Sequence, residues 1–383
     1  MSSPAPPSWP SVSLADVCEL KYGKSLPGAH RVGGSVTVFG SNGIVGHHDE
    51  SLTCGPTIVI GRKGSFGEVN YSDSSCWPID TTYYVDSTCT EADLRWLSYR
   101  LAGLGLNRLN RAAAIPGLNR EDAYRLRILF PPFPEQQRIA VVLHKAEVLL
   151  AKCREALAQL EELTQSIFFE MFGDPTSRQE SWNISNLRNI VSEFRYGTSN
   201  KSQSQGVPAL RIPNVTNSEI DTSDLKLVPV SLSERERLRL LEGDLLFVRT
   251  NGNPSLVGRC AIYNRDVAAK SGRSGEDFIY ASYLIRARPK MDVISPVYLR
   301  EFMLGPAGRR ALRSRSKTSA GQFNINTESL GTIEVPIPPL DLQQEYARRV
   351  EAVAKLRTGH RVHLAELDAL FASLRYRAFR GEL

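Results

Sequence analysis

Side chains that hydrogen-bond the base edges of DNA gather in glycine-bearing loops at two places in this sequence. Arg62, Lys63 and Ser65 lie in Gly61-Arg62-Lys63-Gly64-Ser65-Phe66-Gly67, while Arg249, Asn251, Asn253 and Arg259 flank Asn251-Gly252-Asn253. Arginine and lysine match the O6 and N7 acceptors of guanine, and asparagine matches the N6/N7 edge of adenine. Lys24, Ser41 and Asn42 extend the candidate set in the first half, and Lys201, Arg211 and Asn214 in the second. A basic run, Arg309, Arg310, Arg313, Arg315 and Lys317, leads into Ser319-Ala320-Gly321-Gln322-Phe323-Asn324 and adds Gln322 and Asn324. At the corresponding place the first half has Arg108, Arg111 and Arg120 around Pro116-Gly117-Leu118-Asn119. A single charge run is most often a solvated face; recurrence at one place in two halves favours phosphate contact.

Charge location points the same way. Residues 174–337 carry 23 basic and 17 acidic groups, so their excess equals the whole-chain net charge of +6, whereas residues 1–133 balance at 12 and 12. A polyanion-binding face in the later segment is the expectation.

Catalytic constellations are not found. Tyr22-Gly23-Lys24-Ser25 ends like a phosphate loop, but Cys18 occupies the place of its first glycine, and the matching Gly197-Thr198-Ser199 lacks the lysine. His47-His48-Asp49-Glu50 offers metal-ligand types, yet adjacent residues do not converge on one ion, and Cys54 and Cys76 supply no ligand spacing. There is no Gly-x-Ser-x-Gly, no His-Glu-x-x-His, no glycine-rich dinucleotide fingerprint, and no Asn/Asp-Pro-Pro-aromatic tetrad of amino methyltransferases. No metal site and no cofactor site is expected.

Composition bounds the class. With 383 residues, 42% hydrophobic and 23% charged, the chain can bury large cores in two or three domains. No apolar run approaches the ~18 residues of a membrane span. The Pro- and Ser-rich start shows no signal-peptide pattern, and six scattered cysteines read as reduced packing residues of a cytoplasmic protein.

The chain repeats itself. Pro131-Pro132-Phe133-Pro134-Glu135-Gln136-Gln137 returns 207 residues later as Pro338-Pro339-Leu340-Asp341-Leu342-Gln343-Gln344. Leu163, Ser166, Ile167 and Phe172 match Leu370, Ser373, Leu374 and Phe379; upstream, Ser8-Trp9 echoes Ser181-Trp182 and Tyr22-Gly23 echoes Tyr196-Gly197. Each copy is a globular segment followed by a long helix. In the first helix, Leu143, Leu150, Leu157, Thr164 and Met171 fall seven apart, as do Ala146, Cys153, Leu160 and Ile167. Such an a/d seam over four heptads predicts a coiled coil. The second seam reads Val350, Arg357, Leu364, Phe371 and Ala378 with Val353, His360, Leu367 and Leu374. Two matching helices most simply pair with each other, and repeats related by a two-fold axis run antiparallel. Cys153 is then expected near Arg357 and His360. Residues 134–171 give a rod of about 57 Å, stopped at Gly173-Asp174-Pro175. The globular segments share one order of strand, glycine loop, strand and helix: 56–60, 61–67, 81–85 and 91–105 in the first, 244–249, 251–253, 281–285 and 296–304 in the second.

These motifs resemble the specificity (S) subunits of type I restriction–modification systems. The resemblance rests on Pro131-Pro132-x-x-Glu135-Gln136-Gln137-Arg138-Ile139-Ala140, on Leu163 to Phe168, on Met171 to Pro175, and on the terminal Ala378-Phe379-Arg380-Gly381-Glu382-Leu383. Gly40 to Ile44, Gly61 to Ser65 and Trp77 to Thr82 resemble one class of that family's target-recognition domains, and Leu210 to Val215 with Asp244 to Gly252 another. Leu342 departs from the family's usual glutamate in the second Glu-Gln-Gln.

The resemblance implies an α+β fold in which two mixed α/β recognition domains (1–133 and 174–337) are joined by two long helices (134–173 and 338–383) in an antiparallel coiled coil with pseudo-two-fold symmetry. It implies a non-catalytic DNA-binding subunit. Each domain would read half of a split double-stranded DNA target, and the helices would set the gap and dock two methyltransferase subunits. Motor-nuclease subunits would join for cleavage, while S-adenosylmethionine, ATP and Mg would be bound by the partners. A coiled-coil adaptor with protein-binding ends and a self-sufficient nuclease or methyltransferase are the competing classes. Salt-sensitive DNA retention separates the first of these, and activity of the isolated chain the second.

Overall fold

The duplication read from the sequence is carried through strand by strand. A computed structural model describes residues 9–109, 117–173, 182–216, 219–273, 277–319 and 321–383. It divides into two units: residues 1–156 with 360–383, and residues 157–359. Ser8, Arg111, Pro116, Asp174, Pro175, Ser181 and Ala320, named above, lie outside the described residues.

In the first unit an antiparallel four-stranded sheet runs in the order Lys21–Tyr22, Thr82–Val85, Thr57–Gly61, Val69–Ser72. Beside it is a three-stranded sheet, Gly43–His48, Val36–Gly40 and Trp77–Pro78, with its last pair parallel. Ser11–Ser13 pairs with Arg127–Leu129. The second unit repeats all three: Val191–Tyr196, Leu284–Pro289, Leu245–Val248, Cys260–Ile262; then Lys226–Val228, Val207–Leu210, Ile279–Tyr280; then Asn183–Asn186 with Glu334–Ile337. The strand expected at 281–285 begins instead at Leu284, because a turn at Ala281–Tyr283 separates it from Ile279–Tyr280.

One shared glycine has a steric cause. A Cβ on Gly23 would stand 2.1 Å from the Ile79 carbonyl oxygen, and a Cβ on Gly197 would stand 2.1 Å from that of Tyr280. In both units the first sheet crosses the parallel pair too closely for any side chain.

The two long helices span Phe133–Phe172 and Leu340–Ala378. Gly173 closes the first with φ +70° and donates to the Phe169 carbonyl, the left-handed cap expected there. In the first unit Leu143, Ala146, Leu150 and Cys153 are buried, and Leu364, Leu367, Phe371 and Leu374 are partly buried. Cys153 Sγ lies 3.5 Å from the His360 carbonyl oxygen and 4.0 Å from Nδ1. In the second unit Ile167, Val350 and Val353 are buried and Leu157, Leu160 and Thr164 half-buried, while Tyr346 Oη reaches the Thr164 carbonyl at 3.5 Å. Residue numbers rise on one helix as they fall on the other, so the pairing is antiparallel. Arg357 turns away from the seam to pair with Glu219.

Helices and domains do not form separate cores. In the first unit Ile139, Ala140 and Leu143 pack with Ile58, Ile60, Tyr83, Val85, Trp96 and Phe379. In the second, Phe168, Phe172, Tyr346 and Val350 pack with Leu245, Phe247, Tyr298 and Phe302. Phe168, Phe172, Tyr298 and Tyr346 form an aromatic cluster with centroids 4.8–5.7 Å apart, each ring worth roughly 1.5–3 kcal/mol of burial. The long helices begin at Phe133 and Leu340, and in each unit one hydrophobic core runs through helix and globular segment.

A buried glutamine locks each domain to its helix. Gln136 accepts from the Asp93 N–H at 2.8 Å and donates to the Pro131 carbonyl at 2.9 Å. Gln343 accepts from the Ser295 N–H at 2.8 Å and donates to the Pro338 carbonyl at 2.8 Å. Asp93 and Ser295 are the N-caps of Leu94–Ala102 and Pro296–Leu304. Both side chains are essentially inaccessible, where an unmade hydrogen bond is costly.

Candidate nucleic-acid interface

In the first unit, strand Thr57–Gly61 ends at the residues that were expected to read DNA. The main-chain N–H groups of Arg62 and Lys63 both donate to the Thr81 carbonyl, and the Ser41 hydroxyl donates to the same oxygen at 2.7 Å. Lys63 bridges to Gly117, and the Leu118 N–H donates to the Arg62 carbonyl. Three segments distant in sequence thus meet at one edge. The Arg62 guanidinium lies 5.2 Å from the centre of the exposed Tyr22 ring, and that of Arg120 lies 5.4 Å from it. Arg62 Nη2 donates to the Asp80 carbonyl at 2.7 Å. Beneath them, burial and the Tyr22 hydroxyl push Tyr83 up to about 12. Asn42, Lys63, Ser65, Arg108 and Lys24 are exposed around this edge, Lys24 also lying over Trp77.

The second unit builds the same edge with other residues. The Arg249 N–H donates to the Tyr283 carbonyl, and Ile325 N–H donates to the Arg249 carbonyl. The Arg249 guanidinium lies 4.6 Å from the Tyr196 ring centre. Thr327, at the start of helix Thr327–Gly331, donates its N–H to Tyr196 Oη at 3.1 Å. Its counterpart in the repeat is Arg120, at the start of helix Arg120–Tyr124. Thr250–Asn251, Gln322–Asn324 and Lys317–Ser319 pair into a small sheet, so Asn251, Gln322, Asn324 and Lys317 share one patch with Arg249.

Several candidates prove to be braces. Asn214 is buried and its amide is spent on the Arg211 N–H and the Asp221 and Asp224 carbonyls; Arg211 pairs with Asp224. Arg259 holds the Thr216 carbonyl, and Arg309 holds those of Ser255 and Val257. Arg315 bonds both oxygens of Thr332. Asn119 caps its helix by accepting from Glu121 N–H, while Asn251 and Asn253 accept from main-chain N–H groups two residues on. The helix carrying the basic run makes this legible afterwards: Arg309 and Arg315 face inward, and Arg310 and Arg313 face solvent. Burial, then the Arg259 and Arg313 cations, lower Arg309, the mark of a crowded positive surface. Lys201 is exposed in a loop after Tyr196.

The tyrosines were missed as site residues, although the Tyr-Gly echo had marked both. Elsewhere, His48 Nδ1 accepts from Val32 N–H and its ring packs on Trp77. Among the described residues no group of three or more His, Cys, Asp or Glu could hold a metal ion, and no helix is long and apolar enough to cross a membrane. All six cysteines are free and five are buried, with burial raising Cys18 and Cys260 to about 12.

Residues 6–162 match the profile of the type I restriction modification DNA specificity domain. The type I restriction enzyme EcoKI specificity subunit of Escherichia coli K12 is 29% identical over 299 residues, 73% of this chain and 62% of that protein. The crystal structure of the type I restriction–modification S subunit from M. genitalium superposes with a TM-score of 0.64 at 16% identity, covering 98% of this chain and 97% of that one. Over most of its length the chain is similar to type I restriction enzyme specificity subunits. Another such specificity subunit, EcoBI of Escherichia coli, is 21% identical over 85% of this chain and 73% of its own length. The alignments to the EcoKI subunit and to the StySPI specificity subunit of Salmonella potsdam each span 62% of those relatives' length. The α+β architecture expected for a specificity subunit, with paired long helices, is the one observed.

Proposed function

We propose that this chain is the DNA-reading subunit of a type I restriction–modification complex, with each recognition domain reading one half of a bipartite double-stranded target. The observation that carries this reading is the repeated edge: a strand-end arginine stacked on a tyrosine, ringed by exposed basic and amide side chains, in two units of one topology. The coil sets the gap between half-sites. It also docks two methyltransferase subunits, a role supported by apolar side chains left exposed on the first helix, Val141 and Leu149 in one unit and Leu163 and Phe169 in the other. Motor-nuclease subunits join for restriction. The chain performs no catalysis; S-adenosylmethionine, and ATP and Mg for cleavage, are held by the partners, and the complex works in the cytoplasm.

Replacing residues 10–130 with another recognition domain tests the reading. The methylated sequence is expected to change in one half-site only; joint change of both halves defeats independent reading. Deleting one heptad from each long helix is expected to alter the gap and keep both half-sites. Half-sites that change while the gap stays constant defeat the ruler.

A further inference from the structure

Arg62 and Arg249 occupy one position of the repeat. Each follows the central strand of its four-stranded sheet, each gives its main-chain N–H to the neighbouring turn (Thr81 or Tyr283), and each takes a main-chain N–H (Leu118 or Ile325) on its own carbonyl. Each guanidinium lies over a tyrosine ring, 5.2 Å from the Tyr22 centre for Arg62 and 4.6 Å from the Tyr196 centre for Arg249, and donates to a carbonyl oxygen, Asp80 at 2.7 Å and Ser282 at 3.4 Å. Tyr22 is 52% and Tyr196 36% exposed, so both stacks lie at the surface. Neither guanidinium forms a salt bridge among the described residues, whereas Arg211 pairs with Asp224 and Arg288 with Asp244.

A phosphate contact needs charge within reach, and the exposed Lys63, Arg108, Arg313 and Lys317 supply that without a fixed orientation. A ring beneath a guanidinium together with one anchored nitrogen limits how it can turn. What remains is the outer edge of each guanidinium, for Arg62 the Nη1 and Nη2 end because Nε is buried, and such paired donors meet guanine O6 and N7 together. We propose that Arg62 and Arg249 are equivalent specificity-determining residues, each reading a guanine in its own half-site, with Tyr22 and Tyr196 as the positioning residues. The inference rests on the half-site reading above and adds which side chains discriminate, and for which base.

The test uses the chain assembled with its methyltransferase subunits, with methylated sites mapped genome-wide and duplex affinity measured across a salt series. Arg62→Lys is expected to relax one guanine of one half-site, with discrimination there falling roughly 5- to 150-fold, and Arg249→Lys one guanine of the other. Tyr22→Leu should relax the same position as Arg62→Lys, the double variant losing little more than either alone, while Tyr22→Phe keeps discrimination. Arg62→Gln, read with its thermal midpoint, separates lost reading from lost folding. An unchanged motif with uniformly weaker binding and a shallower salt slope overturns the inference in favour of a phosphate contact and leaves the half-site reading standing. Relaxation at a base other than guanine overturns it equally. A wild-type complex with no split target sinks the underlying function instead.

Discussion

The two recognition units share a scaffold and differ in how they fill it. Where the second unit buries Asp244 at the start of its central strand, the first has Thr57. Asp244 is bound by Arg288 through two 2.8 Å bonds and by the Leu241 N–H; Thr57 hydrogen-bonds Thr53 and the Gly55 carbonyl. Next along the sheet, Arg286 is 1% exposed and pairs with Glu193, while its counterpart Tyr84 carries no charge pair. Around the glutamine lock, Phe172, Tyr298 and Tyr346 stand where the first unit has Phe379, Trp96 and Ile139. One topology therefore tolerates either a hydroxyl network or an ion-pair network in its sheet.

That contrast is sharpest for Asp244. Asp244→Ala strands the Arg288 guanidinium, and should cost about 3–5 kcal/mol; Thr57→Val in the first unit should cost about 1 kcal/mol. Hydrogen exchange of strands Leu245–Val248 and Thr57–Gly61 reads each unit separately, and equal losses would erase the distinction. Phe172→Ala should cost about 3–5 kcal/mol, more than Phe379→Ala, whose ring touches Trp96 only at 6.4 Å; urea unfolding of the full chain ranks the two. Gln136→Leu and Gln343→Leu should each lose about 1–3 kcal/mol, and alike, because the lock is common to both units; a large inequality would break the equivalence.

Acid gives a smaller effect in the same direction. Burial alone would raise Glu193, but hydrogen bonds and charge from Arg195 and Arg286 outweigh it and hold its carboxyl below the ordinary range. Its contribution is complete above the unfolded carboxylate pKa and fades as pH falls through the folded value. Glu193→Gln should flatten the acid limb of stability for the second unit and leave the first unit's limb in place; unchanged acid limbs in both would remove Glu193 from the account.

Much of the architecture was legible because it obeys simple periods. Heptads fixed the coil, its direction followed from the repeat, and the 207-residue offset placed Cys153 against His360. The lock was not read, although Gln136 and Gln343 recur in the repeat and stand seven residues before Leu143 and Val350. The distant grip has no local signal, since in each unit one partner is the main-chain N–H of a residue 43 or 48 positions upstream. The candidate interface was half legible. Residue type located the loops, but type alone does not tell an exposed side chain from a brace: Arg309 and Arg313 are one helical turn apart, yet Arg309 holds the Ser255 and Val257 carbonyls while Arg313 is exposed, and Asn214 is enclosed by a turn that the Asp221 and Asp224 carbonyls complete.

The glutamine lock has a wider consequence. It holds a peptide N–H, and is indifferent to the side chain there, aspartate in one half and serine in the other. A globular domain of different sequence can therefore be seated on the same helix, so long as it offers a main-chain N–H at that point. Exchange of a whole domain then leaves the joint itself intact, with no repacking of the helix it sits on.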